Sequence, residues 1–397
     1  MKFEDPGAQG AMAQPHRIGQ TLRLAINTLC LWRPLTGIGQ YTLNLARSWP
    51  AEEGFEREYF YGSDWSTLAA ARDAPGLAST KKLIRRFLPR PYEISRALMQ
   101  RRFNRNPRKF DVYHEPNFLP FRFDGPTVLT VHDLSYVRYA GTHPAERVRI
   151  MGKLLPPAVE RAAHILTDSY FQREEIISYF GVAPDRVTAC HLGVSSDFCP
   201  RTQEQCAPIL AQHGITFGRY YLAVGTLEPR KNLAAVLEAY AKLPESVQHG
   251  VPLVIAGMRG WNIEELSPRL RKLARAGSVR VLGFVSEVEL PSIYSGALGM
   301  LYPSLYEGFG LPVVEAMASG VPVLVSNRSS LPEVAGVAGV QVEPDDVAAM
   351  STWMERLIDD QAFRLVASRA GLAQVQRFTW EACAATTADV IARAARL

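Results

Sequence analysis

Two carboxylates, Glu307 and Glu315, stand eight positions apart in the segment EGFGLPVVEAMASG. Gly308, Gly310 and Pro312 lie between them, a pattern that predicts a loop opening into a helix near Leu311. Close backbone approach at the glycines and the free N–H groups of a helix start suit a phosphate. Glu315, about one turn into that helix, is placed to accept hydrogen bonds from both hydroxyls of a ribose. Glu307, on the loop, faces whatever lies beyond the phosphates. A second segment, YYLAVGTLEPRKNLAAVLEAY, sets Arg230 and Lys231 side by side between a strand and a helix. An arginine fork next to a point ammonium suits a diphosphate. Cations at a helix start oppose the helix dipole, so a chain that keeps them there has an anion to hold. Each feature also has a plainer account: a dipole-stabilising acid, a turn residue, a solvated basic helix start.

These residues need elements to carry them. Short apolar runs are expected as strands at 22–27, 127–132, 164–169, 220–225, 252–257, 279–284, 298–304 and 321–326. Helical spacing fits 37–49, 146–163, 170–180, 231–243, 262–276, 286–296, 311–319 and 345–358. Such alternation, with nearly continuous apolar strands, predicts parallel sheets covered on both faces. The expected fold is α/β: two doubly wound Rossmann-like domains meeting at a cleft by the carboxyl ends of their strands. A polar stretch rich in Gly and Pro marks the boundary. The expected division is a disordered leader at 1–20, an N-terminal domain at 21–205 and a linker at 206–218. A C-terminal domain at 219–380 follows, with a last helix at 381–397 able to belong to either domain.

Bulk composition narrows the classes further. A chain of 397 residues with 47% apolar content can fill two cores, and a net charge of +5 gives no polyelectrolyte role. Five cysteines (Cys30, Cys190, Cys199, Cys206, Cys383) include no CxxC pair, which fits reduced thiols better than disulfides or zinc. No apolar run is long enough to span a bilayer. The charge is uneven: residues 81–109 are strongly basic, with Leu83, Ile84, Phe87 and Leu88 on one helical face. That pattern fits an anionic membrane surface or a solvated helix pair, and no nucleic-acid motif accompanies it. His132 closes an apolar strand, with Asp133 able to fix its tautomer or cap the next turn. His114 and His143 are weaker candidates that shape the cleft loops.

The Glu-x7-Glu segment, with GTLEPRKN about eighty residues earlier, resembles the nucleotide-sugar domain of retaining GT-B glycosyltransferases of family four. VLGFVSEVELPSIYSGALGMLYPS and GVPVLVSNRSSLPEVAG extend the match. TGIGQYTLNLA, VHDLSYVRYAGTHPAERVR and HLGVSSDF look like the acceptor-side domain of bacterial mannosyltransferase-like members. The resemblance implies that Glu315 holds the ribose and that Glu307 lies by the transferred sugar. Backbone amides of Phe309, Gly310 and Leu311 would support sugar and phosphate, and Arg230 and Lys231 would bind the diphosphate. The loop of Gly37 and Gly39 would lie by phosphates and acceptor, with His132 beside the donor sugar. Two positions depart from the pattern: Thr226 replaces an arginine of some relatives, and Ser329-Ser330 stand where many carry Gly-Gly.

The implied activity is a retaining, metal-independent hexosyl transfer without a cofactor. GDP-mannose or a GDP-deoxyhexose is the favoured donor, with UDP-sugars second. The implied acceptor is a lipid-linked oligosaccharide of a bacterial surface polysaccharide. The enzyme would work in the cytoplasm, peripherally attached to the inner face of the membrane through residues 81–109. A GT-B-fold sugar-nucleotide epimerase and a non-catalytic sugar-nucleotide-binding subunit are the alternatives.

Overall fold

The computed structural model describes residues 21–50, 54–73, 91–106, 108–258, 260 and 267–397. The expected leader at 1–20 and the apolar face of Leu83, Ile84, Phe87 and Leu88 lie outside them. Two parallel sheets form the frame. The N-terminal sheet comprises β1 (Leu22–Asn27), β2 (Phe55–Phe60), β3 (Trp65–Ser66), β4 (Val112–Glu115), β5 (Thr127–Thr130), β6 (His164–Thr167) and β7 (Val187–Ala189), in the order β3-β2-β1-β4-β5-β6-β7. Only the edge pair β2–β3 is antiparallel. The C-terminal sheet comprises β8 (Tyr221–Val224), β9 (Leu253–Ala256), β10 (Val279–Gly283), β11 (Gly299–Tyr302), β12 (Val323–Ser326) and β13 (Val340–Val342), in the order β10-β9-β8-β11-β12-β13. Order reverses between β1 and β4 in one sheet and between β8 and β11 in the other. At such switch points the strand ends splay and leave a crevice for ligands.

Central strands are apolar because helices cover both faces. β9 (LVIA) and β12 (VLVS) are buried throughout. The strands β2, β3, β4, β7 and β13 lie outside those expected from sequence. β2 (FEREYF) carries Glu56 and Arg57 on its more exposed half and buries Glu58, and β4 (VYHE) buries a histidine and a glutamate, so neither shows an apolar run.

The expected linker at 206–218 is corrected. Most of its first half belongs to a helix, Gln203–Gln212, opened by a reciprocal capping box between Thr202 and Gln205. Cys206 and Leu210 are buried in its face, and Gly218 N–H donates to Gly296 in the C-terminal domain. Polar helix ends had hidden this apolar stripe. The last helix, Trp380–Ala394, crosses back to the N-terminal domain. Its Cys383 Sγ lies 3.4 Å from Cys190 Sγ, and Trp380 packs beside Tyr41 with ring centroids 6.4 Å apart.

Candidate active site

Arg230 and Lys231 lie on a short 3-10 turn, Pro229–Lys231, just past β8. The following helix, Leu233–Ala241, begins only after Asn232, which takes a left-handed backbone (φ 55). Asn232 Nδ2 donates to the carbonyls of Pro303 and Pro344 and ties this turn to the loop after β11. That loop carries Glu307, so both strand ends beside the switch point contribute to one cluster.

The cluster is a buried ion network. Lys231 Nζ donates to Glu307 Oε1 at 2.7 Å and to the Tyr302 hydroxyl at 2.6 Å. Arg230 Nη1 donates to Glu307 Oε2 at 2.9 Å and to the Tyr306 carbonyl, and Nη2 donates to Glu228 Oε1 at 2.6 Å. Burial pushes the Glu307 carboxyl up, but Arg230 and Lys231 more than offset this and hold it at about 2. Burial lowers the Lys231 ammonium against the pull of Glu307. An ammonium so placed needs an anion beside it to stay charged. A cavity at the end of β8, lined by Gly225, Thr226, Leu227, Lys231 and Tyr302, adjoins the ammonium.

Downstream, Gly310 (φ 116) turns the chain into the helix Leu311–Ala318, with Pro312 in its first turn. The first-turn N–H groups of a helix have no intrahelical partners and point at whatever lies beyond. Phe309 is buried edge-on against Phe378, with ring centroids 5.5 Å apart. Glu315, fifth in the helix, is half-buried and accepts from the Tyr294 hydroxyl at 2.7 Å. Burial raises its carboxyl to about 7, against the lowering by that bond. The serines at the Gly-Gly position fasten the loop. Ser329, with a glycine-like backbone (φ 54), accepts from Glu307 N–H at 2.9 Å. Ser330 Oγ reaches the carbonyls of Glu307 and Phe309.

The N-terminal domain closes on this loop. Tyr139 donates to the Leu305 carbonyl, Gln172 Nε2 to the Glu307 carbonyl and Ser169 Oγ to the Gly308 carbonyl. The Tyr306 hydroxyl sits among Leu134 N–H, Gln172 and Glu175. Gly308 lies so close to the His132 carbonyl that no Cβ fits between them.

His132 is itself buried. Its Nδ1 is hydrogen-bonded to Asp168 Oδ2 and its Nε2 donates to the Pro116 carbonyl, both at 2.8 Å. The Pro116 carbonyl can only accept, so Nε2 carries a proton, and Nδ1 shares a second with Asp168, whose own carboxyl burial pushes up. Burial works against charge on the ring, yet Asp168 and the Pro116 carbonyl leave the pKa above the ordinary histidine value. Asp133 instead caps the following turn through Ser135. The first helix, Gly37–Arg47, starts at the predicted glycine loop. A Cβ at Gly37 would meet open space, whereas one at Gly39 would fall 2.7 Å from the Cys30 carbonyl. His114 binds Thr130 inside the N-terminal sheet, and His143 binds Ser135.

Arg230, Lys231 and Glu307 thus converge on one point, with Glu315 on the helix beyond and the His132 backbone against Gly308. Sequence reasoning missed Glu228, Tyr302, Tyr294, Tyr306 and Asp168. Their only signal was a polar residue within two positions of a strand end or motif.

Comparison with known proteins identifies the family. Residues 35–198 match the family described as Glycosyltransferase Family 4, and residues 211–374 match Glycosyl transferases group 1. O-antigen chain mannosyltransferase B of Escherichia coli is 39% identical over 363 residues, spanning 89% of this chain and 95% of that protein. O-antigen chain mannosyltransferase RfbU of Salmonella typhimurium is 31% identical over 219 residues, 55% of this chain and 57% of that one. Among solved structures, WaaG, a glycosyltransferase involved in lipopolysaccharide biosynthesis, superposes with a TM-score of 0.68 over 93% of this chain and 99% of its own, at 16% identity. The chain therefore belongs to the GT-B glycosyltransferases, with a family 4 N-terminal half and a group 1 C-terminal half.

Proposed function

We propose that this glycosyltransferase moves a mannosyl unit from GDP-mannose to a hydroxyl of a lipid-linked oligosaccharide during surface polysaccharide synthesis. The mannosyl and polysaccharide assignments rest on the similarity to the E. coli O-antigen enzyme. The observation that carries the reaction is the buried cluster of Lys231, Arg230 and Glu307 at the switch point of the C-terminal sheet. As the bond from the anomeric carbon to the diphosphate breaks, its electron pair moves to the phosphate oxygen. Lys231 and the first-turn amides at 310–311 stabilise that charge, and the reaction needs no metal. The acceptor oxygen bonds to the anomeric carbon from the same face, and its proton passes to the departing phosphate oxygen. Configuration is retained without a protein nucleophile. Glu307 orients the hexose, Glu315 the ribose. His132, tied at both ring nitrogens to Asp168 and the Pro116 carbonyl, shapes the wall of the site.

Attachment to an anionic membrane surface completes the proposal. The helix Pro91–Phe103 exposes Ile94 and Leu98 and ends in Arg101 and Arg102. No helix among the described residues is long and apolar enough to cross a membrane.

A thermal-shift panel of GDP-, UDP-, ADP- and TDP-sugars tests the donor, because a ligand stabilises the native state according to its affinity and concentration. GDP-mannose should give the largest shift and, with acceptor and EDTA present, a product of retained anomeric configuration. A larger shift with another base, an inverted product, or loss of activity in EDTA overturns the corresponding part.

A further inference from the structure

The described ion network contains two cations, Arg230 and Lys231, and two carboxylates, Glu228 and Glu307. It is neutral before any ligand arrives. A free phosphate approaching Lys231 meets an ammonium whose charge is already matched by a carboxylate at 2.7 Å. We propose that Glu307 is an internal counter-ion that occupies the phosphate position and gives it up more readily to an intact sugar donor than to a nucleoside diphosphate. This rests on the donor site assigned above and adds a basis for telling donor from product.

The geometry supplies a pivot. Glu307 is held through one oxygen by Arg230 and through the other by Lys231. Arg230 is the fixed side: its remaining contacts go to Glu228 and the Tyr306 carbonyl, and it is 8% exposed. Lys231 is the open side, since it alone of the two lines the cavity past β8. A diphosphate and a carboxylate cannot share one ammonium without strong like-charge repulsion. In the empty site Arg230 and Lys231 keep the Glu307 carboxyl ionised, so the arriving phosphate meets a carboxylate. The phosphate therefore turns Glu307 Oε1 away from Lys231 while Oε2 stays on Arg230.

What the displaced oxygen meets decides the affinity. An intact donor places a hexose next to the diphosphate, and its hydroxyls donate to the released carboxylate. A nucleoside diphosphate offers no such donor, and a buried carboxylate without a partner is costly. Glu307 then competes to return to Lys231 and helps expel the product. The same competition disfavours other phosphate compounds that lack the sugar.

The test compares Glu307→Gln with wild type by calorimetric titration, using the nucleoside diphosphate and the nucleotide sugar that the wild type prefers. The amide keeps the shape but leaves the cluster one charge positive. The variant should bind the nucleoside diphosphate on the order of tenfold more tightly and the nucleotide sugar no more tightly. Equal or weaker binding of the diphosphate by a folded variant overturns the counter-ion role. If the variant does not fold, a wild-type crystal soaked with the nucleoside diphosphate decides. Phosphate on Lys231 with Glu307 swung away supports the proposal. Phosphate and Glu307 together on that ammonium refute it. Wild type that binds no nucleotide at this cluster defeats the donor assignment itself, a separate result.

Discussion

Replacing Glu315 by Gln should make the empty protein more stable at neutral pH while removing its response to nucleotide. Burial lifts this carboxyl from 4.5 to about 7. Between those values the unfolded chain is ionised and the native state still holds its proton, so native stability falls as pH rises through that window. Above it the loss is constant, and below it there is none. The full shift corresponds to about 3 kcal/mol. The side chain is half-buried, so solvent screening reduces this to roughly 1–2 kcal/mol. Glutamine carries no charge to desolvate, and its carbonyl can still accept from Tyr294. At about 2–4 °C per kcal/mol for a domain of this size, Tm should rise by a few degrees at pH 8 and be unchanged near pH 4. Thermal unfolding of both proteins from pH 4 to 8, with and without nucleotide, measures this. A variant less stable than wild type at pH 8, or a difference that does not grow with pH, refutes the electrostatic argument. A variant that keeps the nucleotide-induced shift refutes the ribose role.

Lys231→Ala should abolish nucleotide-induced stabilisation in the same assay. It should also lower the Tm of the empty protein, because Glu307 then depends on Arg230 alone in a buried setting. Gly308→Ala should leave both sheets folded and reduce turnover by at least about tenfold, since the added methyl meets the His132 carbonyl and wedges the cleft. Circular dichroism and steady-state kinetics separate the two effects. Wild-type kinetics in the Gly308→Ala variant would show that the domains need not approach this closely.

The C-terminal site was the more legible half. Gly310, Pro312 and Gly320 punctuate a loop and helix whose observed span, Leu311–Ala318, ends one residue before the expected 319. Glycine and proline restrict the backbone locally, so their effect survives without tertiary information. Partners were not legible, because Tyr302 and Tyr294 belong to other elements and meet Lys231 and Glu315 only in the folded sheet. His132 shows the same limit. Adjacency in sequence pointed equally to Asp133 as tautomer partner or as cap. The parallel pairing of β5 with β6 instead brings Asp168 to its ring and leaves Asp133 the cap. The linker failed for a related reason: Gln, Glu and Pro mark a solvent face, and the buried side of Cys206 and Leu210 is visible only against the helix Leu290–Ser295.

The placement of Glu307 is a property of both domains. Glu307 takes its charge partners from the turn after β8, but its backbone is held by Gln172, and its neighbours by Ser169, Tyr139 and Glu175, all N-terminal. Separation of the domains would strip those bonds from residues 305–308 while leaving the ion cluster to Arg230 and Lys231 intact. The ion cluster is therefore preformed in one domain, and the backbone that carries Glu307 is completed by contacts from the other. A donor held without the acceptor-side domain in place would have its diphosphate bound and its anomeric carbon unsupported. In the proposed reaction, such an arrangement would tie bond cleavage to closure of the N-terminal domain and so limit loss of activated sugar to water.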